Sequence, residues 1–190
     1  MSVDAANLLA AISRSVDALA FTRGELDARL AELVETVAQV FGFLGAGIMM
    51  MNESGQLYLI GTFDPTAGAL ELAQREGGVG PGVQATRLNR VVAVDDLNRD
   101  ERWPQLRETL VPRGVRSLLC APIRVHNRPV GNLNLVDGAP REWTQSERAG
   151  LTAYAGLIGA MLRIALDGAH EDQLVLELAK RLATDAADDS

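Results

Sequence analysis

Val91-Val-Ala-Val-Asp-Asp-Leu-Asn-Arg-Asp-Glu-Arg-Trp-Pro104 is followed by Gly114-Val-Arg-Ser-Leu-Leu-Cys-Ala-Pro122 and then by Gly131-Asn-Leu-Asn-Leu135. The order reads as strand, acidic loop, short helix, and a two-strand hairpin with an asparagine pair on an otherwise apolar strand. Val91 to Val94 is a continuous apolar run, the pattern of a strand covered on both faces. Pro104 suits the first position of a helix, where its missing N–H costs nothing, and a helix is expected to about Val111. Arg116–Val125 and Val130–Val136 should pair across His126-Asn-Arg128. Period-two alternation puts Asn132 and Asn134 on one face and Leu133 and Leu135 on the other. Such an order suits a sheet with a pocket beneath a movable loop, and it carries no recognisable catalytic apparatus.

Outward from this core, Ala46–Met51 and Gln56–Phe63 flank Asn52-Glu-Ser-Gly55, a turn whose glycine tolerates positive φ, so a first hairpin is expected. Thr66 to Glu76 reads as a short helix stopped by Gly77-Gly78, and Gly80-Pro-Gly82 opens another to about Leu88. Toward the N-terminus, Leu26, Leu30, Leu33, Val34, Val37 and Phe41 recur at helical spacing up to Gly42. A separate helix carries Leu8, Ile12, Val16 and Leu19, with a break at Thr22-Arg-Gly24. Toward the C-terminus, Thr144-Gln-Ser-Glu147 forms a capping box. It launches a long helix whose Leu151, Tyr154, Ala155, Ile158, Met161, Leu162 and Ala165 share a face.

The chain of 190 residues is 47% apolar and carries a net charge of −7, enough for one well-cored domain with flanking helices. Its basic residues are scattered among acids, whereas nucleic acid and anionic membranes require clustered Lys and Arg. Neither partner is expected. Cys120 is the single cysteine, which fits a reducing compartment. Asp4, Asn7, Arg14 and Asp17 interrupt any signal-peptide core, and no run reaches the roughly 20 apolar residues of a membrane span. A cytoplasmic protein is expected.

Taken together, Gly80-Pro81 with Ala85, then Val94, Asp96, Leu97, Asp100, Arg102-Trp103-Pro104, then Gly114–Ser117 with Leu119 and Pro122, then Gly131 with Leu133–Leu135 resemble the GAF domain family. They are most similar to the bacterial type that precedes an RNA-binding ANTAR domain. The resemblance covers about residues 26 to 165 and rests on several motifs in order. It implies an α+β, GAF-like (PAS/profilin-like) fold, with a central antiparallel sheet of five or six strands, helices on both faces and long terminal helices. The expected division is residues 1–22 as a dimerising helix, 23–167 as the domain, and 168–190 as a helical extension with an acidic tail. An ANTAR bundle would not fit in the residues after the core helix, so the expectation is either that the output domain is absent or that the regulator works through another protein.

For function, the resemblance implies a sensory module, a homodimer held by terminal helices, with no cofactor and no metal. A small-molecule pocket is expected at Met49, Met51, Tyr58, Ala85, Asp95, Ala121, Asn132 and Asn134. For the asparagines two readings stand side by side, a solvent or sheet-edge position and the polar floor of that pocket. Asp95, Asp96, Asp100 and Glu101 read as turn and helix caps ahead of a metal or acid–base cluster, with Arg102 and Trp103 pinning the loop. GAF relatives that reduce methionine sulfoxide need an attacking and a resolving cysteine, and Cys120 alone, on an inner strand, reads as a buried thiol. His126 in a turn and His170 past the core read as solvated, which disfavours haem. A ligand-free interaction scaffold is the competing class. On the last helix Ala149, Ala153, Gly156 and Ala160 form a small-residue ridge, open to a partner helix or to close packing on the domain's own sheet.

Overall fold

In the computed structural model the backbone is described for residues 23–188 apart from residue 53, and side chains as far as residue 166. The expected helix around Leu8 to Leu19 lies outside the described residues. The chain runs α1 (Arg23–Phe41), β1 (Gly45–Met51), β2 (Leu57–Phe63), α2 (Pro65–Gly77), α3 (Pro81–Leu88) and β3 (Val92–Val94). It continues through α4 (Pro104–Leu110), a 3-10 turn (Val111–Arg113), β4 (Ser117–Val125), β5 (Arg128–Asp137) and α5 (Gln145–Asp188). Five antiparallel strands form one sheet in the order β2-β1-β5-β4-β3. The anticipated five or six strands resolve to five among the described residues.

Local chemistry accounts for the boundaries. His126 and Asn127 both take positive φ, 48° and 63°, the backbone of a two-residue type I′ hairpin between β4 and β5. Asp64 starts α2 by accepting the Thr66 backbone N–H at 2.8 Å, with Pro65 at the first helical position. The capping box of α5 is complete: Thr144 Oγ1 accepts from Glu147 N at 3.2 Å and Glu147 Oε2 accepts from Thr144 N at 2.8 Å. β3 is an edge strand, yet it is covered on both sides. Val92 and Val94 join the α2–α4 cluster, and Ala93 packs against the cluster of α1 and α5.

β5 feeds two different layers. Gly131, Leu133 and Leu135 face α1 and α5, where Leu30, Val34, Val37, Tyr154 and Ile158 complete an apolar core. Asn132, Asn134 and Val136 face α2, α3 and α4. Gln145–Leu166 of α5 is apolar and long enough to cross a membrane by composition alone, a stretch the sequence reading passed over. In the fold Leu151, Tyr154, Ala155, Ile158 and Met161 are buried on the sheet, as the periodicity predicts. The small-residue ridge on the same helix divides. Gly159 lies against the Arg124 carbonyl so closely that a Cβ would overlap it, whereas a Cβ on Gly156 would meet nothing within 4 Å. Ala149, Ala153, Gly156 and Ala160 are exposed, so packing on the domain's own sheet accounts for Gly159 and not for the ridge.

Candidate functional site

The asparagines of β5 are fully buried, which resolves the two readings against a solvent position. Asn134 sits between Gly47 of β1 and Cys120 of β4; Asn132 sits between Met49 and Pro122. Two helices close over them with polar side chains. On α2, Ala67, Leu70, Glu71 and Gln74 fall at i, i+3, i+4 and i+7, so all four point into the protein and all four are buried. On α3, Thr86 follows the buried Ala85.

These groups form one hydrogen-bonded network. Asn134 Nδ2 donates to Glu71 Oε1 and to Asn132 Oδ1, each at 2.7 Å. Asn132 Nδ2 donates to Thr86 Oγ1 at 2.8 Å. The Thr86 hydroxyl lies 3.1 Å from Gly82 O and 3.2 Å from Gly131 O, and its one proton serves one of them. Gln74 Nε2 donates to Glu71 Oε2 at 3.1 Å and reaches Met49 Sδ at 3.9 Å, while Gln74 Oε1 accepts from Gly82 N at 2.7 Å. Asn134 Oδ1 is buried without a partner. An orphan acceptor forfeits its hydration with nothing in return, about 1–3 kcal/mol.

Glycines make this approach feasible. A Cβ on Gly82 would come within 2.8 Å of Asn132 Oδ1, 2.9 Å of Asn134 Oδ1 and 3.0 Å of Gln74 Oε1. Three amide oxygens thus converge on the start of α3. On β1, a Cβ on Gly47 would stand 2.5 Å from Glu71 Oε1, so the bare backbone there lets the carboxyl lie flat on the sheet. Burial raises the Glu71 pKa to about 7, against the opposing hydrogen bonds from Asn134 and Gln74. Burial likewise pushes the Cys120 thiol up, and the charge of Glu71 adds to it. A thiol so placed is a weak nucleophile.

Of the sequence-derived candidates, the structure brings together Met49, Asn132 and Asn134, with Ala85 beside Thr86. It separates the others. Ala121 pairs with Leu133 and Ile48 lies on the same apolar face, so Ala121 belongs to the α1–α5 core rather than to the polar floor. Tyr58 pairs with Met50, which also packs toward that core, and is 42% exposed. Met51 is at the open end of β1, 38% exposed. Asp95 is exposed, and its backbone carbonyl accepts from Arg141 N. Glu71, Gln74 and Thr86 are the members that sequence reasoning missed. The signal was present in α2, where polar Glu71 and Gln74 fall on the apolar stripe of Ala67 and Leu70.

The acidic loop is structural, as its caps suggest. Asp96 accepts from Asn98 N and pairs with Arg116 at 3.0 Å. Asp100 accepts from Arg102 N and pairs with its guanidinium at 2.5 Å, which lowers the Asp100 carboxyl despite partial burial. Arg102 also donates to Ala93 O and lies over the Trp103 ring, 4.3 Å from its centroid. No metal-holding cluster of His, Cys, Asp and Glu occurs among the described residues. His126 is exposed in its turn; the side chain of His170 lies outside the described residues.

The order of strands and helices, with a polar floor beneath α2 and α3, defines an α+β domain built on one antiparallel sheet. The chain belongs to the GAF domain family, whose profile matches residues 25–162. Among solved structures it is similar to the free methionine-R-sulfoxide reductase from Neisseria meningitidis, at TM-score 0.66 and 18% identity, covering 85% of this chain and 89% of that one. It is also similar to the GAF domain of an Acinetobacter phosphoenolpyruvate-protein phosphotransferase, at TM-score 0.65 and 17% identity, covering 89% and 97%. A domain assigned to a two-component sensor histidine kinase of Sinorhizobium meliloti 1021 superposes at TM-score 0.64 and 15% identity, covering 80% and 99%. Identities this low establish the shared fold and nothing finer. No curated protein sequence matches the chain.

Proposed function

We propose that this protein is a non-enzymatic sensory GAF domain that binds a small molecule on the floor made by Asn132 and Asn134. Binding alters how α2 and α3 sit on the sheet, and the terminal helices carry that change to an output protein. The observation that carries this reading is the buried, unpartnered Asn134 Oδ1 inside a network that ties two helices to the central strand. A buried polar floor of this kind is costly for a purely structural domain, because an apolar core of the same shape needs no such matching.

The protein acts as a cytoplasmic homodimer, with the exposed ridge of α5 and the helix expected before residue 23 at its interface. The ordered motifs quoted for the acidic loop and second hairpin support a likeness to the GAF type that precedes ANTAR domains. Its net charge of −7 argues against a direct nucleic-acid or membrane partner. Two-state coupling is the physical requirement: the ligand must prefer one arrangement of the helices over the other.

One observation favours a second reading. Glu71 and Thr86 already accept from the amides of the floor, and Gln74 bonds Glu71 in turn, as a ligand-free scaffold would have it. An enzyme reading rests on the named reductase relative. Against it stand the single cysteine, its full burial and its raised pKa. Native mass spectrometry of the purified protein, followed by a thermal-shift screen of small metabolites, separates the first two. A bound or stabilising molecule that is lost in Asn132→Leu and Asn134→Leu is the expected outcome. Equal behaviour of wild type and both folded variants across the screen would leave the scaffold reading standing.

A further inference from the structure

Hydrogen-bond accounting shows what the floor lacks. Both N–H groups of Asn134 are used, on Glu71 and Asn132, and both of Gln74 point at Glu71 and Met49. Asn132 Nδ2 commits one of its two N–H groups, to Thr86, and the larger surplus is in acceptors. Asn134 Oδ1 has no partner, and a carboxylate has about four lone-pair positions, of which Glu71 uses two, on neutral amide donors. Asn132 Oδ1 and Asn134 Oδ1 converge where α3 begins. Such a set is complementary to a group rich in N–H donors and carrying positive charge, which would offset the desolvation of the Glu71 carboxylate.

One side chain already imitates that group. The Gln74 carboxamide presents an NH2 to the Glu71 carboxylate from the helix above, and its oxygen holds Gly82 N at 2.7 Å. It is a flat, neutral stand-in for an amidine, and it ties down the first turn of α3. We propose that the site recognises the ammonium or amidinium group of a small ligand, which displaces the Gln74 carboxamide and so releases Gly82 and α3. This deepens, and rests on, the reading of the Asn132–Asn134 floor as a ligand site. Its consequence is built in: the group that the ligand replaces is the one that holds α3 closed.

Gln74→Ala removes an acetamide-shaped piece of the plug, and three isosteric probes can refill it: acetamidinium, acetamide and acetate. Acetamidinium is expected to raise the melting temperature of Gln74→Ala and to bind roughly tenfold or more tightly than acetamide, with acetate without effect. Adding Glu71→Gln should abolish the preference. Affinity for acetamidinium should also climb as pH rises through about 7, where Glu71 ionises, and be flat over that range in the double variant. The titratable neighbour is Cys120 of β4; the groups facing Glu71 from β1, β5 and α2 are Gly47, Asn134 and Gln74, all neutral. Binding of acetate or acetamide equal to that of acetamidinium overturns the cationic class and leaves the ligand site standing. Binding of none of the three by the folded variant overturns both. Where Gln74→Ala does not fold, saturation-transfer NMR on wild type carries the same test. Signal for acetamidinium that vanishes in Glu71→Gln supports the proposal, and its absence in wild type overturns it.

Discussion

The two faces of the sheet are built by the same strand on opposite rules. Leu133 and Leu135 of β5 look toward α1 and α5, into a layer of Leu, Val, Ile, Phe and Tyr that excludes water by volume. Asn132 and Asn134, one residue out of step, look toward α2 and α3, into a hydrogen-bonded network set within a second apolar cluster. The first face tolerates little change in size, because a void forfeits both transfer energy and contacts. The second tolerates little change in hydrogen-bonding capacity or charge. A domain that needs only to fold gains more from the first kind of layer; the second can respond to a ligand.

The comparison is broken most directly on the apolar face. Leu133→Ala removes a fully buried side chain that sits between Ile48 and Ala121, so little can collapse into the gap. A loss of about 2–5 kcal/mol is expected in urea denaturation. A loss under about 1 kcal/mol would mean that this face is loosely packed and that the contrast between the layers is wrong.

On the polar face the expected effect depends on pH. Burial raises the Glu71 carboxyl from its ordinary pKa of 4.5 to about 7. The folded protein therefore binds this proton more tightly than the unfolded chain does. The stability from that preference is fully present below about pH 4.5 and is lost as pH rises through about 7. The difference amounts to about 3 kcal/mol at full ionisation, to order of magnitude. Compared with Glu71→Gln, wild type should lose stability across the interval from about pH 4.5 to 7 and then level off. Parallel stability curves for the two proteins would show that Glu71 is not buried as a carboxyl.

How much of this contrast was legible in the sequence follows from the register. The alternation Asn132-Leu-Asn-Leu135 separates the two faces without any structure, and the described helices and hairpins fall within a residue or two of their expected ends, apart from the far end of α5, which continues to Asp188. What the sequence did not disclose is which neighbours share the asparagine face. Counted outward from the turn at His126-Asn127, Ala121 would stand opposite Asn132. A register shift between Ile123 and Arg124 moves it opposite Leu133, and a one-residue slip turns a side chain to the other face. Tyr58 likewise lands opposite Met50 and not Met49. Glu71 and Gln74 were hidden for a different reason: a polar residue on a helix is ordinarily read as its solvent side. Their burial depends on the bare backbone at Gly47, Gly80 and Gly82, a pairing of distant positions that no local pattern encodes.

The apolar face has one polar flaw, and repairing it should have a smaller effect. The Tyr154 hydroxyl is buried without a hydrogen-bond partner, while its ring meets Phe41 edge-on at 6.0 Å. Tyr154→Phe keeps the ring contact and removes the unsatisfied oxygen. A gain of about 1 kcal/mol is expected from thermal or urea unfolding. A clear loss instead would show that the hydroxyl has a partner that stabilises it, such as an internal water.

The smallest effect is expected at Gly156 of α5, a helix on which two glycines three residues apart make opposite demands. Gly159 abuts the Arg124 backbone, and backbone cannot move aside as a flexible side chain can, so Gly159→Ala should be disruptive. Gly156→Ala meets no atom within 4 Å and replaces the poorer helix former, which should raise the stability of the subunit by up to about 1 kcal/mol. The substitution is therefore informative about what covers the ridge. If Ala149, Ala153, Gly156 and Ala160 face water, the variant is more stable and its mass by light scattering is that of wild type. If a second copy packs there, the added methyl group separates the helices, and the dimer weakens even as the subunit gains helix propensity. A more stable variant with an unchanged dimer would remove the ridge from the proposed interface.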